Sequence, residues 1–184
     1  MNLPTNRLNT SLPARCRRGQ DMNQPIIDAA EFRRVLGHLP TGVVVVTSTV
    51  DGAPAGMACN SFTSISLDPA LVGFSVAHTS STWPPIRNEG RFCINVLAED
   101  HADLTRNFSR KGIDRFEGVD WEPRSSGPGL GGAVAWVDCT LWREYEAGDH
   151  MIVLGKVHSI EAAPDVPPLV FCKGAYGAFA TALN

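Results

Sequence analysis

Two long runs of strand-forming residues, Ala133 to Tyr145 and His150 to Ile160, are separated by little more than the turn Ala147-Gly148-Asp149. So short a gap leaves no room for a crossover helix, and the two strands must pair antiparallel. The other strand runs follow the same habit. Val43 to Val46, continued through Thr47 and Thr49, leads into Asp51-Gly52, a hairpin turn. Ala55 to Thr63 and Leu71 to Ala77 are joined through Asp68-Pro69, and Arg91 to Leu97 and Leu169 to Cys172 complete the set. Glu122 to Gly132 reads as a Gly/Pro/Ser loop. Strands and helices do not alternate regularly, which excludes a doubly wound parallel sheet. A mainly β fold is expected, six or seven strands forming an antiparallel barrel with two or three peripheral helices.

Those helices have their own marks. Asp28 and Glu31 form a D-x-x-E box, and Phe32, Val35, Leu36 and Leu39 then line one apolar face. Thr82 is placed to cap a short helix that tolerates Pro84 and Pro85 in its first turn. Glu99 to Phe108 is a further helix, with Leu104 and Phe108 at i, i+4. The unbroken Val43–Val46 run predicts a strand covered on both faces, by a packed helix or by a second copy of the chain.

Composition narrows the function. Of 16 basic residues, Arg7, Arg15, Arg17 and Arg18 stand in the first 20 positions, where there is no acid; the rest holds 12 basic against 19 acidic residues, a net of −7. Such a body is a poor partner for a nucleic-acid backbone. No apolar run reaches the ~20 residues that span a membrane. Residues 1–25 read as a flexible arm and 26–184 as one domain. Cys16, Cys59, Cys93, Cys139 and Cys172 are widely spaced, with no CxxC pair. No metal site is expected, and reduced thiols in a cytoplasmic protein are. There is no GxGxxG, P-loop or GxSxG.

Three stretches carry more small polar residues than strand packing requires. In "PAGMACNSFTSISLDP" (Pro54 to Pro69), small side chains leave the strand surface low. Either a flat ligand lies against that backbone or another element packs closely there. "SVAHTSSTW" (Ser75 to Trp83) places hydroxyls at a strand end and a helix start, where free N–H groups suit a phosphate; capping by Thr82 explains one hydroxyl. In "YEAGDHMIVLG" (Tyr145 to Gly155), Asp149 and His150 stand at the mouth of an apolar strand, as turn chemistry or as side chains aimed at a ligand.

Taken in order, these stretches resemble one family. "FRRVLGHLPTGVVVVT" (Phe32 to Thr47), "SFTSISLDP" (Ser61 to Pro69) and "SSTWPPIRNEGRFCINVLAED" (Ser80 to Asp100) carry the match. "RFEGVDW" (Arg115 to Trp121), "GDHMIVLGKV" (Gly148 to Val157) and "GAYGAF" (Gly174 to Phe179) extend it. The sequence is similar to the flavin reductase-like family, the short reductase components of two-component monooxygenases, built on the FMN-binding split barrel, an antiparallel Greek-key fold. The resemblance implies an NAD(P)H:flavin oxidoreductase. It implies FMN or FAD, NADH or NADPH, a homodimer, and a separate oxygenase that receives reduced flavin by diffusion. Two other readings of the same barrel are a flavin-binding protein without turnover and an oxidase of the pyridoxamine-phosphate type.

Carried onto this chain, the resemblance places the flavin ring beside Gly56, Met57 and Ala58, with Asn60 and Ser61 at its polar edge. Ser75, Val76 and Ala77 line the same groove, and Ser81 and Thr82 reach the phosphate. Asn107 and Phe108 close the site. His150 faces the nicotinamide as a positioning residue, supported by Asp149. Many relatives carry Arg or Lys in the phosphate loop, whereas this chain has His78-Thr79-Ser80-Ser81-Thr82. The flavin is then either held loosely or helped by Arg106, Arg110 or Lys111.

Overall fold

The computed structural model describes residues 27–163 and 165–179; the expected N-terminal arm lies outside them. Helix α1 spans Ala29–Leu36. The Asp28 carboxylate accepts from the backbone N–H groups of Ala30 and Glu31 at 3.1 and 3.0 Å, satisfying donors that a helix start leaves open. Glu31 turns to the Arg34 guanidinium instead of back to Asp28, so only half of the box forms.

Strands β1 (Thr41–Gly42), β2 (Val44–Val50) and β3 (Ala53–Cys59) follow, then β4 (Thr63–Leu67) and β5 (Ala70–Ala77). Helix α2 (Trp83–Glu89) leads to β6 (Arg91–Val96), and a 3-10 turn at Glu99–His101 opens α3 (Ala102–Ser109). The chain continues through β7 (Trp121–Pro123), β8 (Pro128–Leu130), β9 (Ala135–Ala147), β10 (His150–Ala162), β11 (Leu169–Cys172) and β12 (Ala175–Ala178). The main sheet has seven strands in the order β3-β2-β6-β9-β10-β5-β4, each pair antiparallel. Two small antiparallel sheets, β1-β11-β12 and β7-β8, complete the fold.

The long hairpin is as expected. Ala147 pairs with His150 across a two-residue turn in which Gly148 takes a φ of +73°, a conformation that glycine adopts without strain. Elsewhere the strands are more broken than the sequence suggested. The predicted strand Ala55–Thr63 ends at Cys59, and β4 begins at Thr63 as a separate edge strand. The loop expected over Glu122–Gly132 contains most of the β7–β8 hairpin, and β12 was not anticipated. These strands are only three or four residues long, too short for a period-2 pattern to register.

Residues of β2 and its lead-in alternate between two cores. Val44 and Val46 pack with Val72, Phe74, Trp83 and Phe92, whereas Val43 and Val45 pack with Leu97, Phe108, Leu130 and Leu169. All four valines are buried, each contributing roughly 1.5–3 kcal/mol. The strand is thus covered on both faces within one chain, and no second copy is required for that purpose. The main core is locked by edge-to-face aromatics, Phe74 lying 5.4 Å from Trp83 and 5.5 Å from Phe92 between ring centroids. The apolar face of α1 behaves otherwise: no residue of that helix is buried, and Phe32, Val35 and Leu36 lie about half exposed.

Candidate functional site

The two edge strands of the main sheet, β3 and β4, do not pair with each other. The β4–β5 ladder reaches Thr63 opposite Gly73. Two residues earlier, the Ser61 hydroxyl takes over: it accepts from Ser75 N at 2.8 Å and donates to Ser75 O at 3.3 Å. β3 and β5 are not paired, and a cavity of about 260 Å³ is lined by residues of both.

Met57 and Ala58 of β3 form one wall of the cavity, and Ser75, Val76 and Ala77 of β5 form the other. Phe108 from the end of α3 closes it, and Ser81 and Thr82 border it before α2. These eight residues are among the twelve to which the family resemblance assigned the flavin. A second cavity of about 270 Å³ adjoins the first, sharing Ser81, Thr82, Lys111 and Arg115, with Gly56 on its wall. Together they reach the few hundred cubic ångströms typical of small-molecule sites.

Four of the named residues sit elsewhere or act differently. A Cβ on Gly56 would lie 2.8 Å from Phe108 Cε1, so close packing by α3 accounts for this glycine. Asn60 is exposed and lines two other cavities beside Phe171, one of which shares Ala58 and Ser109 with the first. Ser61 braces Ser75 and lines none of the cavities described. Asn107 lines none of the cavities described; its carbonyl accepts from the N–H of Arg110, the residue that caps α3, at 3.1 Å.

The end of the site assigned to the phosphate is built from the loop before α2 and from side chains beyond α3. Ser80, not Thr82, caps α2, its Oγ accepting from Trp83 N at 3.2 Å. Thr82 holds the N-cap position but makes no capping bond. Pro84 and Pro85 have no N–H to offer, so the first turn presents almost no free donors. In their place stands Arg115, which the residue-by-residue reading did not select. Its Nη1 donates to Gly56 O at 2.7 Å and to Thr82 Oγ1 at 2.8 Å, and its Nε donates to Arg110 O at 2.8 Å. Partial burial lowers its pKa, yet a guanidinium stays charged at neutral pH. Of the three cations named earlier, Lys111 lines both cavities. Arg106 is turned to Asp103 and lies over the Tyr176 ring. Arg110 contributes its carbonyl to Arg115. Arg115 stands 59 residues from Gly56 and 33 from Thr82, so only its place in "RFEGVDW" hinted at it.

His150 lies one strand further on. It pairs with Ala77 of β5, and directly opposed residues share a face. Ala77 lines the cavity and His150 does not; the imidazole side chain is 43% exposed. Its Nδ1 is 2.6 Å from Asp149 Oδ1, and this hydrogen bond holds the Asp149 carboxyl below the usual aspartate range. The turn is braced from the residue after β5: His78 N donates to Asp149 O at 3.0 Å, and His78 Nε2 lies 3.2 Å from Glu146. Among the described residues no cluster of metal-ligating side chains occurs, and no helix is long and apolar enough to cross a membrane.

A low, apolar wall with hydroxyls and cations at one end suits a flat ring bearing an anionic tail. Comparison with known proteins agrees. Residues 36–180 match the model of the flavin reductase like domain. The chain is 42% identical over 153 residues to HsaB, the reductase subunit of a flavin-dependent monooxygenase of Mycobacterium tuberculosis, covering 82% of each chain. It is also 42% identical over 154 residues to the FMN reductase (NADH) SmoA of Agrobacterium fabrum, covering 83% of this chain and 87% of that one. A Streptomyces globisporus NADH:FAD oxidoreductase, solved with NAD and FAD fragments, superposes with a TM-score of 0.79 at 35% identity over 85% of this chain and 98% of the other. On the fold, the cavity and these relatives together, the chain belongs to the flavin reductase-like family.

Proposed function

We propose that this protein is an NAD(P)H:flavin oxidoreductase whose reduced FMN or FAD leaves to serve a separate oxygenase. The observation that carries the reading is the cavity between β3 and β5, apolar along Met57, Val76 and Ala77 and cationic at Lys111 and Arg115. When bound, the flavin supplies the hydride acceptor and the reduced nicotinamide the hydride. The chain's own part is stacking distance, orientation and exclusion of water. Ala58 and Met57 hold the ring, Ser81 and Thr82 meet the phosphate, and His150, steadied by Asp149, orients the nicotinamide at the cavity edge. Hydride transfer needs no general base, so His150 positions and does not exchange a proton.

The relatives' names support the pairing with an oxygenase and the use of NADH. The exposed apolar face of α1 supports a homodimer. The free thiols of Cys59, Cys93, Cys139 and Cys172 support a reducing, cytoplasmic setting. Burial pushes the Cys93 and Cys139 thiols up to about 12, which keeps them unreactive.

The direct test is nicotinamide oxidation with each flavin and each nicotinamide in turn, alongside flavin titration of an Ala58→Phe variant. The wild type should turn over, and the folded variant should fail to bind flavin. Unchanged flavin affinity in that variant removes β3 from the site.

A further inference from the structure

The loop before α2 brings no Lys or Arg to the cavity, and its His78 is engaged with Glu146. Among the described residues that line the two cavities, positive charge comes from the segment after α3, through Lys111 and Arg115. The two are not equivalent. Arg115 is held at Gly56 O, Thr82 Oγ1 and Arg110 O, which occupies three of its five N–H donors. The two donors on Nη2 make no hydrogen bond to the described residues, so the guanidinium is a fixed fork with one open prong.

Thr82 completes the arrangement. Its hydroxyl has one proton and accepts from Arg115, so the proton must point elsewhere. It makes no capping bond to α2 and donates to no acceptor among the described residues. Thr82 borders both cavities. A hydroxyl that accepts from a guanidinium is a stronger donor to an anion.

We infer that Arg115 makes the site selective for phosphorylated flavins, presenting Nη2 and the Thr82 hydroxyl to the phosphate at the partition between the two cavities. The inference rests on the reading that flavin occupies the cavity. Arg115 thereby supplies the charge that the His78–Thr82 loop lacks.

The test compares dissociation constants for FMN and riboflavin, read by flavin fluorescence, in the wild type, Arg115→Gln, Arg115→Lys and Thr82→Val, with a melting temperature for each. Arg115→Gln should weaken FMN by roughly ten- to hundredfold while riboflavin changes by less than about twofold. Arg115→Lys keeps the charge without the fork and should fall between. Thr82→Val should weaken FMN selectively and by less than Arg115→Gln. Equal losses for both flavins, or no loss for FMN, would make Arg115 a brace for the loop and overturn the inference. Should Arg115→Gln fail to fold, Thr82→Val decides by the same criterion. A wild type that binds neither flavin, or Ala58→Phe with both affinities intact, refutes instead the placement of flavin in the cavity.

Discussion

Asp149 and His150 meet at 2.6 Å on a turn whose backbone is held from two sides. A histidine so placed can be aimed, but it buries little and braces no core. Replacing it should therefore act on kinetics more than on stability. His150→Ala should lower the efficiency of flavin reduction by roughly one to two orders of magnitude, the size of a lost positioning contact. Flavin affinity and melting temperature should change little. Single-turnover reduction at the wild-type rate, with unchanged nicotinamide affinity, would leave His150 a strand-end residue. The same variant has a second readout. Because the hydrogen bond from His150 lowers the Asp149 pKa, the contact favours the fold above the ordinary aspartate range and is lost as pH falls through the lowered value. Removing the imidazole should raise the Asp149 pKa toward the ordinary value of about 3.9, as followed by carboxyl carbon chemical shifts.

At the scale of elements, a buried amide joins pieces that the sequence leaves far apart. Asn95 of β6 donates through Nδ2 to Val45 O and Thr47 Oγ1 at 3.1 and 3.0 Å, and its Oδ1 accepts from Leu130 N at 2.7 Å. Thr47 Oγ1 in turn donates to Pro128 O at 2.6 Å. The β7–β8 hairpin is thus pinned to β2 and β6 by side chains. Asn95→Leu fills similar volume but leaves the buried Leu130 N–H without a partner, at a cost of about 1–3 kcal/mol. The expected outcome is a melting temperature lower by several degrees and faster amide exchange at Leu130. An unchanged melting temperature would show that the hairpin is held by packing alone.

At the scale of the whole molecule, the apolar face of α1 lacks cover among the described residues. Phe32, Val35, Leu36 and Leu39 are 51%, 49%, 55% and 68% exposed, and α1 buries none of its residues. If a second copy covers this face, each such side chain contributes about 1.5–3 kcal/mol to association. Phe32→Asp combined with Leu36→Asp should then convert a dimer to a monomer at micromolar concentration without unfolding it, as read by sedimentation. A wild type that is already monomeric, or a doubly substituted chain that stays dimeric, would place the interface elsewhere.

Local order was legible in the residues themselves. The 13-residue strands β9 and β10, the turn at Gly148 and the capping by Asp28 all follow from propensity and short-range chemistry, which act between neighbours in the chain. The family resemblance pointed to Met57, Ala58, Ser75, Val76, Ala77, Ser81, Thr82 and Phe108, and all eight line one cavity. What propensity could not decide was who partners whom at long range. Gly56 is small because Phe108 packs on it, and Thr82 is released from capping because Ser80 takes that bond. Arg115 becomes part of the site only when the chain beyond α3 folds back over β3. Each of these depends on contacts between segments distant in the chain, and a local pattern carries no record of which of several chemically equivalent partners the tertiary fold brings within 3 Å.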